Sequence, residues 1–174
     1  MPKIKGKTPA VVLIRPKYHH NLGQVLRACS CYAVEQLLWT GDRVDADPSG
    51  EYRLPREERM KGYKNVEMMR NDYPLDIFED CTPVAVEVTD GTEPLTTFEH
   101  PDNAVYVFGP EDGYIPQVIT KLCHRFVHIP THHCLNLSHA VATVLYDRRM
   151  KRQLAGKEPI LQLKDMLLED RVWT

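Results

Sequence analysis

The sequence has no long hydrophobic run, so it predicts no membrane-spanning helix. No apolar stretch approaches the roughly 18 to 20 residues that a span needs. Near the N-terminus, the apolar run VVLI at residues 11–14 is shorter than the roughly 7 to 15 residues of a signal-peptide core. We therefore expect a cytoplasmic protein.

The sequence also lacks the cysteine spacing of a disulfide framework. The chain has five cysteines, an odd number, and small secreted domains space their cysteines more regularly. We expect reduced thiols at all five positions, which are Cys29, Cys31, Cys81, Cys123 and Cys134.

No strong excess of either charge is present, since the net charge is −2. With 174 residues, of which 43% are hydrophobic and 26% charged, the chain is typical of one ordinary globular domain, and we expect residues 1–174 to form it. Positive charge is nevertheless clustered in Lys3–Lys17, Arg53–Arg70 and Arg148–Arg152. These three basic patches either converge on a polyanion or are solvated faces, and composition leaves both open.

Five short apolar or β-branched runs predict strands, and helical patterns lie between them. The strands are predicted at Ala10–Arg15, Gln36–Thr40, Pro83–Val88, Ala104–Gly109 and Arg125–Pro130. Helices are predicted after Asn21 as N-cap, over Ile115–Leu122, from Asn136 or Ser138 onward, and over Ile160–Leu168. The alternation indicates an α/β fold with a mostly parallel sheet flanked by helices.

The segment 41–80 is less regular than the rest. It carries turn residues at Asp47–Gly50 and predicts a short helix after Pro55. We interpret it as a long excursion from the sheet, and such insertions often carry function.

Ligands of open α/β sheets bind at the carboxyl ends of the strands. The predicted strand Ala104–Gly109 runs into the loop FGPEDG. This loop contains neither G-K-S/T nor G-x-G-x-x-G, so it does not predict a loop that binds nucleotide phosphates. Its Glu111 needs a cationic or hydrogen-bonding partner. Arg27 is a candidate partner, and an exposed arginine on an amphipathic helix is the alternative.

Three segments, in this order, carry a resemblance to a known family. They are NLGQVLRA, FGPEDGYIP and IPTHHCLNLSHAVATVLYD. Together they resemble the motifs of the SpoU (TrmH-like) family of RNA 2′-O-ribose methyltransferases, within the SPOUT class, over about Val11 to Arg149. The resemblance implies a trefoil knot near the C-terminus, a homodimer with the active site shared across its interface, and S-adenosyl-L-methionine as methyl donor.

The resemblance also assigns site residues. As catalytic residues it implies Asn21, Arg27, Glu111 and Asn136. As cofactor-binding residues it implies Glu87, Val88, Thr89, Gly109, Ile129, Cys134 and Leu135. Cys134 stands where many members have serine, and the loop Ile129–Asn136 is shorter than is usual in the family.

The sulfonium methyl group is already a strong electrophile, so the protein must align a ribose 2′-oxygen and manage its proton. A guanidinium is a poor general base. Our hypothesis is that Arg27 holds the adjacent phosphate or stabilises developing alkoxide charge, while Glu111 and Asn136 orient it. RNA is the expected partner, with tRNA weakly favoured over rRNA.

Two other interpretations remain open. A zinc site could use His128, His132, His133, Cys134 and His139, but the run lacks the paired spacings of recurrent zinc sites, so we predict no metal. A non-catalytic RNA-binding protein with the same fold is the second alternative.

Overall fold

The computed structural model describes residues 6–44 and 65–162, and these residues form seven strands and three helices. In chain order the elements are β1 (Ala10–Leu13), α1 (His19–Cys31), β2 (Gln36–Trp39), β3 (Glu67–Arg70), β4 (Thr82–Val86), β5 (Glu93–Pro94), β6 (Ala104–Phe108), α2 (Gln117–Thr120), β7 (Arg125–His128) and α3 (Leu137–Leu154). None of the helices in this part of the chain is long and apolar enough to cross a membrane.

The strands form one sheet in the order β3-β2-β1-β6-β4-β7-β5, and every described pair is parallel. The residues of β1, β2 and β6 are all buried. Strands buried on both faces have near-continuous apolar sequences, as these do. The predicted α/β class is confirmed, while the trefoil knot stays a prediction.

Alternate residues of each strand pack against different layers. On one face, Val11 and Tyr106 belong to a core that includes the buried sides of α1 and α3. On the other face, Val12 and Val107 pack with Ile115 and the segment around α2. The central strands are thus covered on both faces, which leaves their carboxyl ends as the place for a ligand.

The five predicted strands are confirmed, each slightly shorter than predicted. Two strands were not predicted: β3, within the irregular segment, and the two-residue β5. Residues 45–64 lie outside the described residues, and so do Asp47–Gly50 and the helix predicted after Pro55. The helix predicted over Ile115–Leu122 is shorter than expected, since α2 covers only Gln117–Thr120.

The predicted helix starts have different outcomes. Asn136 is confirmed as the N-cap of α3, because its side chain accepts a hydrogen bond from the Ser138 amide. Asn21 is not the cap of α1, which begins at His19 with Tyr18 as N-cap. The prediction was wrong because the amide group of Asn21 bonds to other segments instead. The helix predicted over Ile160–Leu168 is not helical at 160–162, and its remainder lies outside the described residues.

The basic patch Arg148–Arg152 is not an open cationic surface. Arg148 is only 6% exposed, and Glu158 lies within ion-pair distance of Arg148, Arg149 and Arg152. Asp147 pairs with Lys151 and Asp102 with Arg152, so three carboxylates of the same chain offset most of the patch's four positive charges. The other two patches lie partly outside the described residues.

A buried hydrogen-bond chain connects the segment after β5 to α3. Its centre is His100, whose side chain is 2% exposed. Nδ1 of its ring lies 2.7 Å from the Tyr106 hydroxyl, and Nε2 lies 2.7 Å from an Asp147 carboxylate oxygen. With a neutral ring, Nε2–H donates to Asp147 and Nδ1 accepts from Tyr106. Burial lowers the pKa of His100, although Asp147 acts in the opposite direction.

We expect the free energy of unfolding to fall as the pH drops from about 7 to about 5, because the unfolded chain takes up a proton that the buried ring resists. The unfolded pKa is about 6.5, and one group contributes at most about 1.4 kcal/mol per pH unit. In the His100→Gln variant, the contribution of this histidine to the pH dependence of the free energy of unfolding should disappear. Calorimetric unfolding of both proteins across this range measures it, and an unchanged slope in the variant would contradict the assignment to His100.

Candidate active site

A cavity of about 480 Å³ opens at the carboxyl ends of the central strands. It lies between the segments that follow β1, β4, β6 and β7 and the first turns of α1 and α3. Its volume is typical of small-molecule sites. The residues that line it are Tyr18, His20, Asn21, Val86, Glu87, Val88, Phe108, Gly109, Pro110, Glu111, Gly113, His128, Ile129, Thr131, Cys134, Leu135, Asn136, Leu137 and Ala140.

Three polar residues from distant parts of the chain form a continuous hydrogen-bonded network at the cavity wall, here called the amide network. Asn136 donates from Nδ2 to Asn21 Oδ1 over 3.0 Å. Asn21 in turn donates from Nδ2 to Glu111 Oε1 over 2.7 Å. Asn21 is fully buried, so its amide depends on these two partners. The fold thus brings together three of the four residues predicted to be catalytic.

The direction of every bond in the amide network is fixed from both ends. Glu111 only accepts, and its second oxygen accepts from the Lys17 backbone N–H over 2.8 Å. The Ser138 backbone N–H only donates, and it bonds to Asn136 Oδ1 over 2.9 Å. Because the two ends have fixed polarity, the two amides between them have one consistent orientation.

The loop after β6 is held by a second carboxylate next to Glu111. Arg43 makes a two-bond ion pair with Asp112, at 2.9 and 2.8 Å. Lys17 Nζ lies 3.3 Å from the same carboxylate. Arg43 and Lys17 hold the pKa of Asp112 well below its usual range. The loop is therefore fastened to the segments that follow β1 and β2.

Gly109 allows the segments around Ile115 and Glu87 to approach closely at the base of this loop. A Cβ there would lie 3.3 Å from the backbone nitrogen of Ile115 and 3.4 Å from Glu87 Oε2. These two atoms belong to a hydrogen bond of 3.0 Å from the Ile115 N–H to the Glu87 carboxylate. A side chain at Gly109 would crowd this bond, and the neighbouring atoms would have to move by a few tenths of an ångström to admit it.

Most of the residues predicted to bind the cofactor line the cavity. Those that do are Glu87, Val88, Gly109, Ile129, Cys134 and Leu135. Thr89 does not, and its carbonyl oxygen accepts a hydrogen bond from the Thr92 hydroxyl.

The predicted contact between Arg27 and Glu111 is wrong within one chain. Arg27 is exposed on α1, and among the described residues its side chain has no hydrogen-bond or ion-pair partner. It lies six residues after Asn21, so it points about 120° away from it around the helix. Asn21 is buried. Arg27 is exposed, about one turn of α1 after Gln24, whose Oε1 accepts a hydrogen bond from the Ser138 hydroxyl of α3.

The histidine-rich segment after β7 shows no metal-binding geometry. Within residues 6–44 and 65–162, no three histidine, cysteine or acidic side chains are grouped so that they could hold a metal ion. His128 Nδ1 lies 2.9 Å from the Thr92 hydroxyl. His132, His133 and Cys134 are exposed.

The sequence interpretation missed two aromatic residues at the rim of the cavity. Tyr18 and His20 stack with ring centroids 5.3 Å apart and an angle of 21° between the ring planes. The signal was present in the sequence, since both residues lie within the three positions that precede Asn21, the first residue of the motif segment NLGQVLRA. We call this pair the ring stack.

Comparison of the sequence with models of protein families identifies the family of this chain. Residues 8–146 match the model of the SpoU rRNA methylase family. The chain belongs to this family. The family that the three motifs predict is therefore confirmed, and the activity is that of an S-adenosylmethionine-dependent RNA 2′-O-methyltransferase.

Individual relatives agree with the family assignment. The tRNA (cytidine-2′-O-)-methyltransferase TrmJ of Methanocaldococcus jannaschii is 27% identical, over 93% of this chain and 76% of the relative. The TrmH/SpoU tRNA modifying enzyme of A. aeolicus has a similar structure, with a TM-score of 0.74, 19% identity, and coverage of 93% of this chain and 85% of its own. AviRb from Streptomyces viridochromogenes in complex with AdoMet gives a TM-score of 0.69 at 16% identity, covering 86% and 62%. The last two comparisons show the fold.

The cavity fits the family's cofactor chemically. Its walls are apolar at Val86, Ile129, Leu135 and Leu137, as a nucleoside base requires. Backbone groups of the loops after β4, β6 and β7 border the same space. The carboxylate of Glu87 also lines the cavity, where it can accept hydrogen bonds from polar groups of a ligand.

Proposed function

We propose that this family member methylates a ribose 2′-hydroxyl of tRNA. The observation that carries the proposal is the amide network, which places Asn21, Glu111 and Asn136 together on the wall of a cavity of cofactor size. The similarity to a tRNA methyltransferase along most of both chains supports tRNA as the substrate. This substrate also supports a cytoplasmic location.

Each part of the cavity has a proposed role toward the cofactor. Ile129 and Leu135 would enclose the adenine, and backbone groups near Gly109 and Cys134 would bond to its polar edges. Val88 and Glu87 would border the rest of the molecule. When bound, S-adenosylmethionine supplies an electrophilic methyl group.

The chain's own residues then have to position the ribose and manage the hydroxyl proton. Glu111 accepts one hydrogen bond at each carboxylate oxygen and so holds Asn21 and the loop after β6 in place. Asn136 is exposed at the cavity and is proposed to orient the ribose. Arg27 is proposed to bind the neighbouring phosphate or stabilise the developing alkoxide.

We propose that two copies of the chain, each a single domain, assemble as a homodimer with a shared active site. Arg27 supports this arrangement, because it is exposed and, among the described residues, makes no hydrogen bond to the amide network of its own chain. A second copy is one source of an arginine at the cavity. Analytical ultracentrifugation of the purified protein tests the assembly.

The substrate is tested with purified protein, S-adenosylmethionine, and separate pools of tRNA and rRNA from cells lacking the gene. We expect 2′-O-methylated nucleosides in tRNA, detected by mass spectrometry after digestion, and fragment analysis then locates the nucleotide. Methylation confined to rRNA, or to bases, would contradict the proposal.

Calorimetry with S-adenosylhomocysteine, the demethylated product, separates the enzyme from a non-catalytic RNA-binding protein. An enzyme binds this product in the cavity. Absence of binding together with retained binding of RNA would favour the non-catalytic alternative.

A further inference from the structure

The ring stack is placed at the cavity by backbone anchors on both sides. The carbonyl oxygen of Tyr18 accepts from the N–H groups of Asn21 and Leu22, at 3.1 and 3.4 Å. The residue before it, Lys17, donates its own N–H to Glu111. The stack is therefore fastened at each end to a residue of the amide network, which fixes its position relative to the proposed catalytic groups.

The turn that leads into the stack has unusual backbone geometry. Arg15, two residues after the end of β1, has a φ of 47°, a region that residues other than glycine rarely adopt. Its N–H is held by the Thr40 hydroxyl oxygen over 3.0 Å. Strained positions of this kind are often found where a functional group must be placed accurately.

Packing does not account for the two rings. Tyr18 is 44% exposed, and His20 is exposed as well, so neither contributes much to the core. Both line the cavity. Lys17 Nζ lies over the Tyr18 ring, 5.3 Å from its centroid. One face of His20 packs against Tyr18, and the described residues provide no ring contact for the other face.

An exposed aromatic pair beside the proposed ribose-binding site suits a nucleobase. Single-stranded or unpaired RNA bases are commonly held by stacking on aromatic side chains, histidine included. A cation close to the stack also favours RNA, whose backbone is anionic. An ordered two-ring stack loses little conformational entropy when a base is added to it.

We propose that the ring stack of Tyr18 and His20 is the platform on which the base of the methylated nucleotide stacks, so that its ribose reaches the amide network. This inference rests on the proposed function for the identity of the nucleotide. It assigns these two residues a positioning role in substrate selection.

The test uses four substitutions in the ring stack and one control substitution, with kcat and KM measured for the tRNA pool. We expect His20→Ala and Tyr18→Ala to lower kcat/KM for RNA by about 10-fold or more, the effect typical of a lost base–aromatic stack. His20→Phe and Tyr18→Phe keep a ring at each position and should retain most of the activity. Tyr73→Ala serves as the control, because Tyr73 is 74% exposed and does not line the cavity.

Two further measurements separate a base platform from a cofactor contact or a structural role. The affinity for S-adenosylhomocysteine should be unchanged in His20→Ala, and a comparable loss there would overturn the proposal. A tRNA with an abasic residue at the methylated position should bind wild-type protein more weakly, but the alanine variants should show no further loss. Additive losses would show that the rings contact another part of the RNA.

Failure of the proposed function would give a different pattern. If wild-type protein methylates no RNA, direct binding of the tRNA pool to the S-adenosylhomocysteine complex replaces kinetics. Weaker binding in both alanine variants, restored in the phenylalanine variants, supports the platform even then. Equal tRNA binding by all variants, or no binding by wild type, overturns it.

Discussion

Arg27→Ala is expected to lower the rate of methyl transfer by about 100-fold or more, the cost typical of removing a group that stabilises transition-state charge. The fold should be unaffected, because Arg27 is exposed and has no described partner. Affinity for S-adenosylhomocysteine should also remain, since Arg27 does not line the cavity of its own chain. Single-turnover kinetics, thermal unfolding and calorimetry measure the three quantities.

Arg27→Lys distinguishes the two proposed roles of this residue. Lysine keeps the positive charge but not the planar, two-pronged donor geometry of a guanidinium. Substantial activity in the lysine variant would indicate that charge alone is needed. A loss close to that of the alanine variant would indicate bidentate phosphate binding. Full activity in Arg27→Ala would contradict both roles.

Mixed dimers test where Arg27 acts. We expect Arg27→Ala and Asn136→Ala subunits each to be inactive alone. If Arg27 completes the site of the partner, refolding or exchanging the two variants together creates one intact site in each mixed dimer. Random pairing would then restore roughly one quarter of wild-type activity. No recovery from verified mixed dimers would place Arg27 in the site of its own subunit.

Glu111→Gln is expected to have the second largest effect, although it changes a single oxygen to an NH₂ group. The carboxylate accepts from both Asn21 and the Lys17 N–H. If the glutamine oxygen faces Lys17, its NH₂ group faces Asn21, which must rotate its amide. Asn136 must then rotate as well, and its NH₂ group meets the Ser138 N–H at the start of α3.

The opposite orientation of the introduced glutamine side chain places its NH₂ group against the Lys17 N–H. Either way, two donors face each other somewhere in the amide network. An unsatisfied buried donor costs about 1 to 3 kcal/mol of stability, and displaced catalytic groups reduce the rate by about 10- to 100-fold. Thermal unfolding and single-turnover kinetics measure these two effects.

Asp112→Asn is the matched control for Glu111→Gln. It removes the same charge from the neighbouring residue of the same loop, but Asp112 is outside the amide network and pairs with Arg43 and Lys17. We expect a much smaller loss of activity. Equal losses in the two variants would show that loop charge matters and that the network polarity does not.

The sequence by itself determined the class of fold and the family. Buried parallel strands need apolar residues on both faces, and β1 and β6 therefore stand out as continuous apolar runs. The cap of α3 was also predictable, because Asn136 bonds to an amide only two residues away. Local interactions of this kind leave their signal within a few neighbouring positions. The three motifs carried the rest of the assignment.

Only the tertiary structure decided which side chains meet. Asn21 looked like a helix cap, and its actual partners are 90 and 115 residues away, a separation that local patterns do not encode. Arg27 fits the family motif, yet the helix turns it away from Glu111. Tyr18 and His20 became a candidate site only when folding placed their stacked rings at the cavity. Contacts between distant segments depend on how the strands are ordered in the sheet, and composition and periodicity do not specify that order.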